Sequence, residues 1–213
     1  MNIVTKMKRF DDNFRTKLYE GVAEIENHSQ AEAVVIIKKS SGNYAIYSFA
    51  AAAIICFVLF SFFMFAPFEY DTYYMYGVSV LVFGAALALF TFVPALQRLV
   101  IPKKTRRKNT EIYARAIFQK GMIYNTMEHT GFLIYCSVTE KEAIFMPDHG
   151  ITLLFDDADI QKINSMVNNI FNAADVPAEI LRVMHETVPI FAKYLPHRED
   201  DINELPDDLD VDL

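Results

Sequence analysis

Two uncharged apolar stretches constrain the fold of this chain more than any other feature. They occupy residues 44–66 and 75–96, and the loop between them carries Glu69 and Asp71. A helix needs about 20 apolar residues to cross a hydrocarbon layer of ~30 Å, and lipid cannot hydrogen-bond an unpaired backbone. The sequence therefore predicts a transmembrane helical hairpin. The alternative is a pair of buried helices in a soluble core, which would normally carry a polar face.

Basic residues flank both stretches and predict their orientation. Lys38 and Lys39 precede the first stretch, and the connecting loop has no basic residue. Because the cytoplasmic flanks of membrane helices are enriched in Lys and Arg, we expect a multi-pass protein of the inner (cytoplasmic) membrane. Both termini and the soluble domain should be cytoplasmic. The bases after the second stretch are Arg98, Lys103, Lys104, Arg106, Arg107 and Lys108.

The segments on either side of the hairpin together predict one α/β domain. We assign residues 1–43 and 98–196 to this domain, 44–97 to the hairpin and 197–213 to an acidic tail. Because an isolated strand leaves its backbone groups unpaired, the strand before the hairpin should pair with one after it. The expected elements are a helix capped by Asp11 or Asp12, a strand at 31–37, a helix at 109–126, strands at 131–138 and 142–146, and helices opening near Asp156 and Pro177.

Charge is concentrated at the end of the sequence. The formal net charge is −7, and residues 197–213 contain eight acidic residues against one basic residue, Arg198. The remainder is near neutral, so the overall basic footprint of a nucleic-acid-binding protein is absent. The tail is too polar to bury a core of its own, so we expect it to be disordered unless a partner holds it. Such an acidic tail is suited to binding.

Four aspartates form the best candidate polar cluster. Asp148 ends a predicted strand, and Asp156, Asp157 and Asp159 open the next helix. Ligands gather at the carboxyl ends of strands in α/β sheets, and carboxylates bind Ca²⁺ or Mg²⁺. The alternative is that these residues only cap a helix and form a turn. His149 is read in the same two ways, as an acid–base group or as a solvated turn residue. No recognised catalytic motif is present, so catalytic residues stay unassigned.

Several segments resemble the TPM-domain family of thylakoid-lumen, receptor-modulator and bacterial membrane proteins. They are residues 114–118, Thr126, residues 130–137, residues 143–151 and residues 203–207. Two departures stand out. His149 occupies a position where the family pattern usually has arginine, and the hairpin lies inside the domain, whereas many members carry the membrane segment after it.

The resemblance implies a small mixed sheet sandwiched by helices, split here by the hairpin. It also implies acid phosphatase activity as in some members, calcium binding as in others, and accessory roles on membrane complexes. We expect a non-enzymatic accessory, assembly or regulatory factor of a membrane protein complex. The alternatives are a metal-dependent acid phosphatase and a Ca²⁺-binding regulatory module.

Overall fold

The computed structural model describes residue 10, residues 12–198 and the backbone of residues 211–212. The expected cap at Asp11 and the TPM-like segment at 203–207 lie outside these residues, as does the acidic tail apart from residues 197–198 and the backbone of 211–212. The chain forms two compact units. One comprises the chain up to Ser41 and from Arg107 onward, and the other runs from Gly42 to Arg106.

Most of the described residues are helical, and the apolar spacing of the sequence explains where the helices lie. In α1, for example, the buried residues Phe14, Leu18, Val22 and Ile25 recur every three or four positions. The helices are α1 (Asp12–His28), α2 (Ala45–Phe65), α3 (Thr72–Phe92), α4 (Pro94–Val100), α5 (Lys103–Lys120), α6 (His149–Leu154), α7 (Asp157–Asn169) and α8 (Val176–Tyr194).

The strands β1 (Glu32–Lys38), β2 (Gly131–Ser137) and β3 (Glu142–Pro147) form a small mixed sheet. β1 pairs in parallel with β2, from Glu32 opposite Gly131 to Lys38 opposite Ser137. β2 pairs antiparallel with β3, and the two-residue strand β4 (Val211–Asp212) lies on the other edge of β1, giving the order β3-β2-β1-β4. The expected pairing of the strand before the apolar helices with one after them is confirmed.

Helices cover both faces of this sheet, because successive strand side chains point in opposite directions. One face carries Val35, Ile134 and Phe145 and packs against α1, α7 and α8. The other carries Ile36 and Tyr135 and packs against α5. The mixed sheet between helices is therefore confirmed for the unit that contains it.

The second unit is dominated by α2 and α3, each of 21 residues and each long and apolar enough to cross a membrane. Ser48 Oγ, near the start of α2, donates to the carbonyl oxygen of Phe90, near the end of α3, at 3.1 Å. The two helices are therefore antiparallel. Large apolar side chains point outward: Phe57 is 70% exposed and Leu81 is 73% exposed.

Three sequence predictions are wrong in their detail. The helix expected at 109–126 spans Lys103–Lys120, because Lys and Arg are good helix formers and extend it toward the hairpin. The second apolar helix ends at Phe92, because Pro94 starts the separate helix α4. The sequence predicts that residues 147–150 end a strand in a turn, whereas in the structure Asp148 is the N-cap of α6.

We predict that β2 depends on β1 for its stability. Val35 is fully buried against the first face of the sheet, so Val35→Ala should lower the free energy of unfolding by about 2 kcal/mol. Hydrogen exchange followed by mass spectrometry, on the full chain in detergent micelles, should show faster exchange across Gly131–Ser137.

Lys17→Ala, at an exposed position of α1, is the matched control and should change stability by less than about 0.5 kcal/mol. Unchanged exchange of β2 in Val35→Ala would contradict the prediction. So would cooperative unfolding of an isolated fragment comprising residues 110–213.

Candidate functional site

Asp148 lies between β3 and α6, and each oxygen of its buried carboxylate has a hydrogen-bond partner. Oδ1 accepts the backbone N–H of His149 at 2.7 Å, which is the N-cap bond of α6. Oδ2 lies 3.1 Å from Nδ1 of His129. The backbone N–H of Asp148 donates to the carbonyl oxygen of Gly131 at 2.9 Å. Asp148 is thus both the N-cap of α6 and the partner of a histidine.

His129 is held in a defined tautomer by its neighbours. Its Nδ1 lies 3.1 Å from Asp148 Oδ2 and 3.0 Å from the carbonyl oxygen of Tyr124. Both partners are acceptors, so Nδ1 carries the proton and Nε2 is the basic nitrogen of the neutral ring. The side chain is 57% exposed, whereas that of Asp148 is 10% exposed. This Asp–His pair therefore presents an imidazole to solvent, the side chain most often used in general acid–base catalysis.

The loop carrying His129 is fixed by its backbone. His129 adopts a left-handed conformation with φ of 56°, and its carbonyl oxygen accepts the N–H of Gly150 at 3.1 Å. A Cβ at position 150 would lie 2.5 Å from the carbonyl oxygen of Glu128 and 2.6 Å from that of His129. Only glycine permits this approach, so Gly150 brings α6 against the histidine loop.

Asp156 and Asp159 lie at a different place, beside the end of α8. The hydroxyl of Tyr194 is 2.6 Å from Asp156 Oδ2 and 2.8 Å from Asp159 Oδ2. Lys193 Nζ lies 3.0 Å from Asp159. Hydrogen bonds from Lys193 and then Tyr194 lower the pKa of Asp159, and a hydrogen bond to Asp156 raises the pKa of Tyr194. These contacts join α7 to α8 at the surface.

The four aspartates predicted as a cation site are thus distributed over two places. Asp148 pairs with His129, Asp156 and Asp159 with Lys193 and Tyr194, and Asp157 is an exposed residue in the first turn of α7. Among the described residues, no three His, Cys, Asp or Glu side chains are grouped so as to hold a metal ion. Binding of Ca²⁺ or Mg²⁺ by these residues stays a prediction.

A second polar cluster lies at the carboxyl ends of β1 and β2, and it centres on the fully buried Glu140. The carboxylate accepts hydrogen bonds from Ser40 Oγ at 3.0 Å and from the backbone N–H of Ser41 at 2.8 Å. Ser137 Oγ donates to it at 2.5 Å. The turn after β2 therefore holds the segment after β1 through one buried side chain.

The hydroxyls of this cluster form a directional chain. Ser41 Oγ donates to Ser137 Oγ at 2.8 Å and lies 2.8 Å from the hydroxyl of Tyr135, which must then be the donor. The hydrogen bonds run from the Tyr135 hydroxyl to Ser41, from Ser41 to Ser137, and from Ser137 to the Glu140 carboxylate. Burial raises the pKa of Tyr135 to about 12, so its proton stays in place. Such chains strengthen each member and order the buried groups they connect.

The sequence does not predict that His129 pairs with Asp148 or that Glu140 is the buried acceptor of a polar cluster. His129 is separated from Asp148 by a strand hairpin, and no local spacing signals their contact. Glu140 lies in a short turn between strands, where a charged residue normally faces solvent. The available signal was the pair of serines after β1 together with Ser137 at the end of β2, since small hydroxyl residues at neighbouring strand ends can surround a buried acceptor.

Comparison with known proteins supports the fold and leaves the family open. No protein-family model matches the chain, and no curated protein does. The structure is similar to the NMR structure of the BA42 protein from the psychrophilic bacterium Bizionia argentinensis, with a TM-score of 0.58 and 15% sequence identity. The match covers 94% of each chain. At this identity the similarity describes the fold alone.

We predict that Glu140 stabilises the sheet edge and that its removal is costly. Glu140→Ala leaves the Ser41 N–H and the hydroxyls of Ser40 and Ser137 without their buried acceptor, which should cost about 3 kcal/mol. Thermal unfolding of the full chain in detergent micelles, followed by near-UV circular dichroism, measures this loss.

Glu20→Ala, at an exposed position of α1, serves as the control and should leave the melting temperature nearly unchanged. A melting temperature for Glu140→Ala equal to that of the control would show that the cluster contributes nothing to stability.

Proposed function

We propose that this chain is a membrane-anchored TPM-like protein that acts as a non-enzymatic accessory, assembly or regulatory factor of a membrane protein complex. The observation that carries the proposal is the exposed apolar surface of α2 and α3. Water cannot solvate so large a surface favourably, at ~25 cal/mol per Å². A lipid bilayer and the transmembrane helices of a partner both supply an apolar environment for it.

The orientation follows from the charges at the helix ends. Lys38 and Lys39 precede α2, and five Lys and Arg side chains lie between residues 103 and 108. The loop between α2 and α3 carries only acidic charge, with Asp71 capping α3 through the N–H groups of Tyr73 and Tyr74. By the positive-inside rule, the sheet-containing unit is cytoplasmic and the chain lies in the inner membrane.

The surface of α3 is suited to contact a partner helix within the bilayer. A Cβ built on Gly77 or Gly84 meets no heavy atom of the described residues within 4 Å, the adjoining residues and the backbone of α3 itself apart. The two glycines are seven residues apart and therefore lie on one side of α3. Small residues permit close approach of a neighbouring transmembrane helix, and α2 does not occupy this position. The side of α3 that carries Gly84 is thus the place to test for a partner.

The test is co-purification from native membranes in mild detergent, followed by mass spectrometry. We expect one partner membrane protein in stoichiometric amount, and Gly84→Ile should reduce its recovery at least about tenfold, the effect of ~1.4 kcal/mol. The substitution is tolerated by the chain itself because the space beside Gly84 is open.

Leu81→Ile, at an exposed position one turn earlier, keeps the volume and is the control. Recovery without any stoichiometric partner, or equal recovery with wild type and Gly84→Ile, would contradict a complex built on this helix face. Recovery of the chain in the soluble fraction would contradict membrane anchoring.

One observation favours a second candidate, an acid phosphatase. The Asp148–His129 pair holds a partly exposed imidazole with a basic Nε2, which is what general acid–base catalysis requires. Binding of a metal is not needed for this part of the chemistry. The pair would position a proton acceptor beside a bound phosphate ester.

Hydrolysis of p-nitrophenyl phosphate by the purified full chain tests this candidate. Asp148→Asn and His129→Asn should each lower turnover about 10²-fold or more, and asparagine tolerates the left-handed backbone at position 129. His149→Asn, whose side chain is exposed next to the pair, should retain activity. Turnover that is absent in the wild type, or equal in all variants, would remove the phosphatase reading.

A further inference from the structure

The exposed side of α5 carries a row of basic side chains. Lys104, Lys108 and Arg115 are solvent-exposed, and their spacings of four and seven residues place them on one side of the helix. The buried side of the same helix is formed by Thr110, Ala114 and Phe118. We refer to Lys104, Lys108 and Arg115 as the basic face of α5.

The basic face is not neutralised by the acid of its own helix. Glu111 is the one acidic residue of α5, and it accepts from Arg107 Nε at 3.1 Å. Arg107 turns inward, and its Nη1 donates to Asn168 Oδ1 at 2.8 Å and to the carbonyl oxygen of Ala143 at 3.2 Å. Arg107 and Glu111 therefore anchor α5 to the sheet-containing unit, while the basic face stays toward solvent.

An exposed apolar residue lies among these cations. Ile112 is 56% exposed and follows Lys108 by four residues, so it lies beside Lys108 and Arg115 on the helix surface. Helices that lie at membrane surfaces combine Lys and Arg with apolar side chains in this way. Long basic side chains also extend their charged ends toward headgroups while their stems contact apolar material.

Chain length keeps the start of the basic face close to the end of the apolar helices. α3 ends at Phe92, α4 accounts for Pro94–Val100, and α5 begins at Lys103. Helical and extended rises along this path place Lys104 no more than about 30 Å from Phe92. A cation so tethered to a membrane-spanning helix cannot diffuse away from the lipid surface.

We propose that the basic face of α5 binds the anionic headgroups of the bilayer that α2 and α3 enter. This inference rests on the membrane anchoring proposed above and names lipid as the ligand of one surface. Ammonium and guanidinium groups donate to lipid phosphate oxygens, and each Lys or Arg near an anionic surface strengthens binding about fivefold. The basic face of α5 would then hold the cytoplasmic unit at the membrane, in addition to setting the orientation of the chain.

The test compares two nanodiscs carrying the full chain, one of phosphatidylcholine and one of phosphatidylcholine with phosphatidylglycerol. A water-soluble acetylating reagent is applied briefly, and mass spectrometry reports each lysine. Lys104 and Lys108 should react several-fold more slowly in the anionic discs, and added salt should remove the difference. Lys17 and Lys162, exposed on α1 and α7, should react equally in both discs.

Variants provide a second readout of the same contact. Lys104→Gln combined with Lys108→Gln should lower the ratio of phosphatidylglycerol to phosphatidylcholine retained by the purified chain, because each cation removed weakens binding at the anionic surface. Lys17→Gln combined with Lys162→Gln is the matched control with the same change of charge, and it should leave the ratio unchanged.

The outcomes separate this inference from the proposed function. Insertion into both discs with equal labelling of Lys104 and Lys108 overturns the lipid contact alone. Protection that is equal in both discs but lost in a variant ending at Arg198 identifies the acidic tail as the occupant and likewise overturns it. Failure of the chain to co-elute with either disc overturns both the anchoring and the lipid contact.

Discussion

The parallel pairing of β1 with β2 is the constraint on which the rest of the structure depends. It joins two strands that are separated by four helices, and without it neither β1 nor the first face of the sheet would be buried. The entropic cost of closing a chain segment grows only slowly with its length. Because β1 and β2 are parallel, the chain must return from the carboxyl end of β1 to the amino end of β2 before the pairing can form. Helix α5, which packs on the second face of the sheet, lies on that return path.

The buried cluster around Glu140 adds to this pairing at the carboxyl end of β1, where the chain leaves the sheet. Backbone bonds continue the strand contact beyond the ladder, from Val138 N–H to the carbonyl oxygen of Lys38 and from Thr139 N–H to that of Lys39. Glu140 then holds Ser40 and the Ser41 N–H. A register slip would leave a buried carboxylate without its donors, which costs more than the loss of a few apolar contacts. The polar chain therefore favours one register of β1 on β2.

The sequence predicted the secondary structure well where periodicity was strong and poorly where it depended on distant contacts. The faces of α1 and α8, the strand pairing and both apolar helices follow from local patterns that burial then reinforces. The sequence predicts the start of α5 six residues too late, because a run of Lys and Arg indicates the flank of an apolar segment as readily as a helix. Helix α6 is not predicted, because six residues carry too little pattern to distinguish a turn from a helix.

The candidate site was harder to predict, and the reason is physical. An aspartate looks the same in the sequence whether its carboxylate caps a helix, pairs with a histidine or binds a cation. Asp148 does the first two, and its histidine partner comes from a loop fixed by Gly150. Proximity along the chain places Asp156 and Asp159 in one predicted cluster with Asp148, but Tyr194 and Lys193 of α8 are their partners. Only the packing of α7 on α8 decides that.

The basic residues after the apolar helices show why charge counts alone underdetermine function. As a group they indicate the orientation of the apolar helices in a membrane, and each of them counts equally toward that prediction. In the structure, however, they fall into two sets with different contacts. Arg107 donates to α7 and to the backbone of β3, which makes it part of the packing of α5, whereas Lys104 and Lys108 stay exposed. A single helix thus carries cations of two kinds. Those held by the protein, such as Arg107, fix α5 within the sheet-containing unit. Those left in solvent, Lys104 and Lys108, are the ones on which the proposed lipid contact depends. The same count of charges therefore has two physical meanings, and only the packing of α5 separates them.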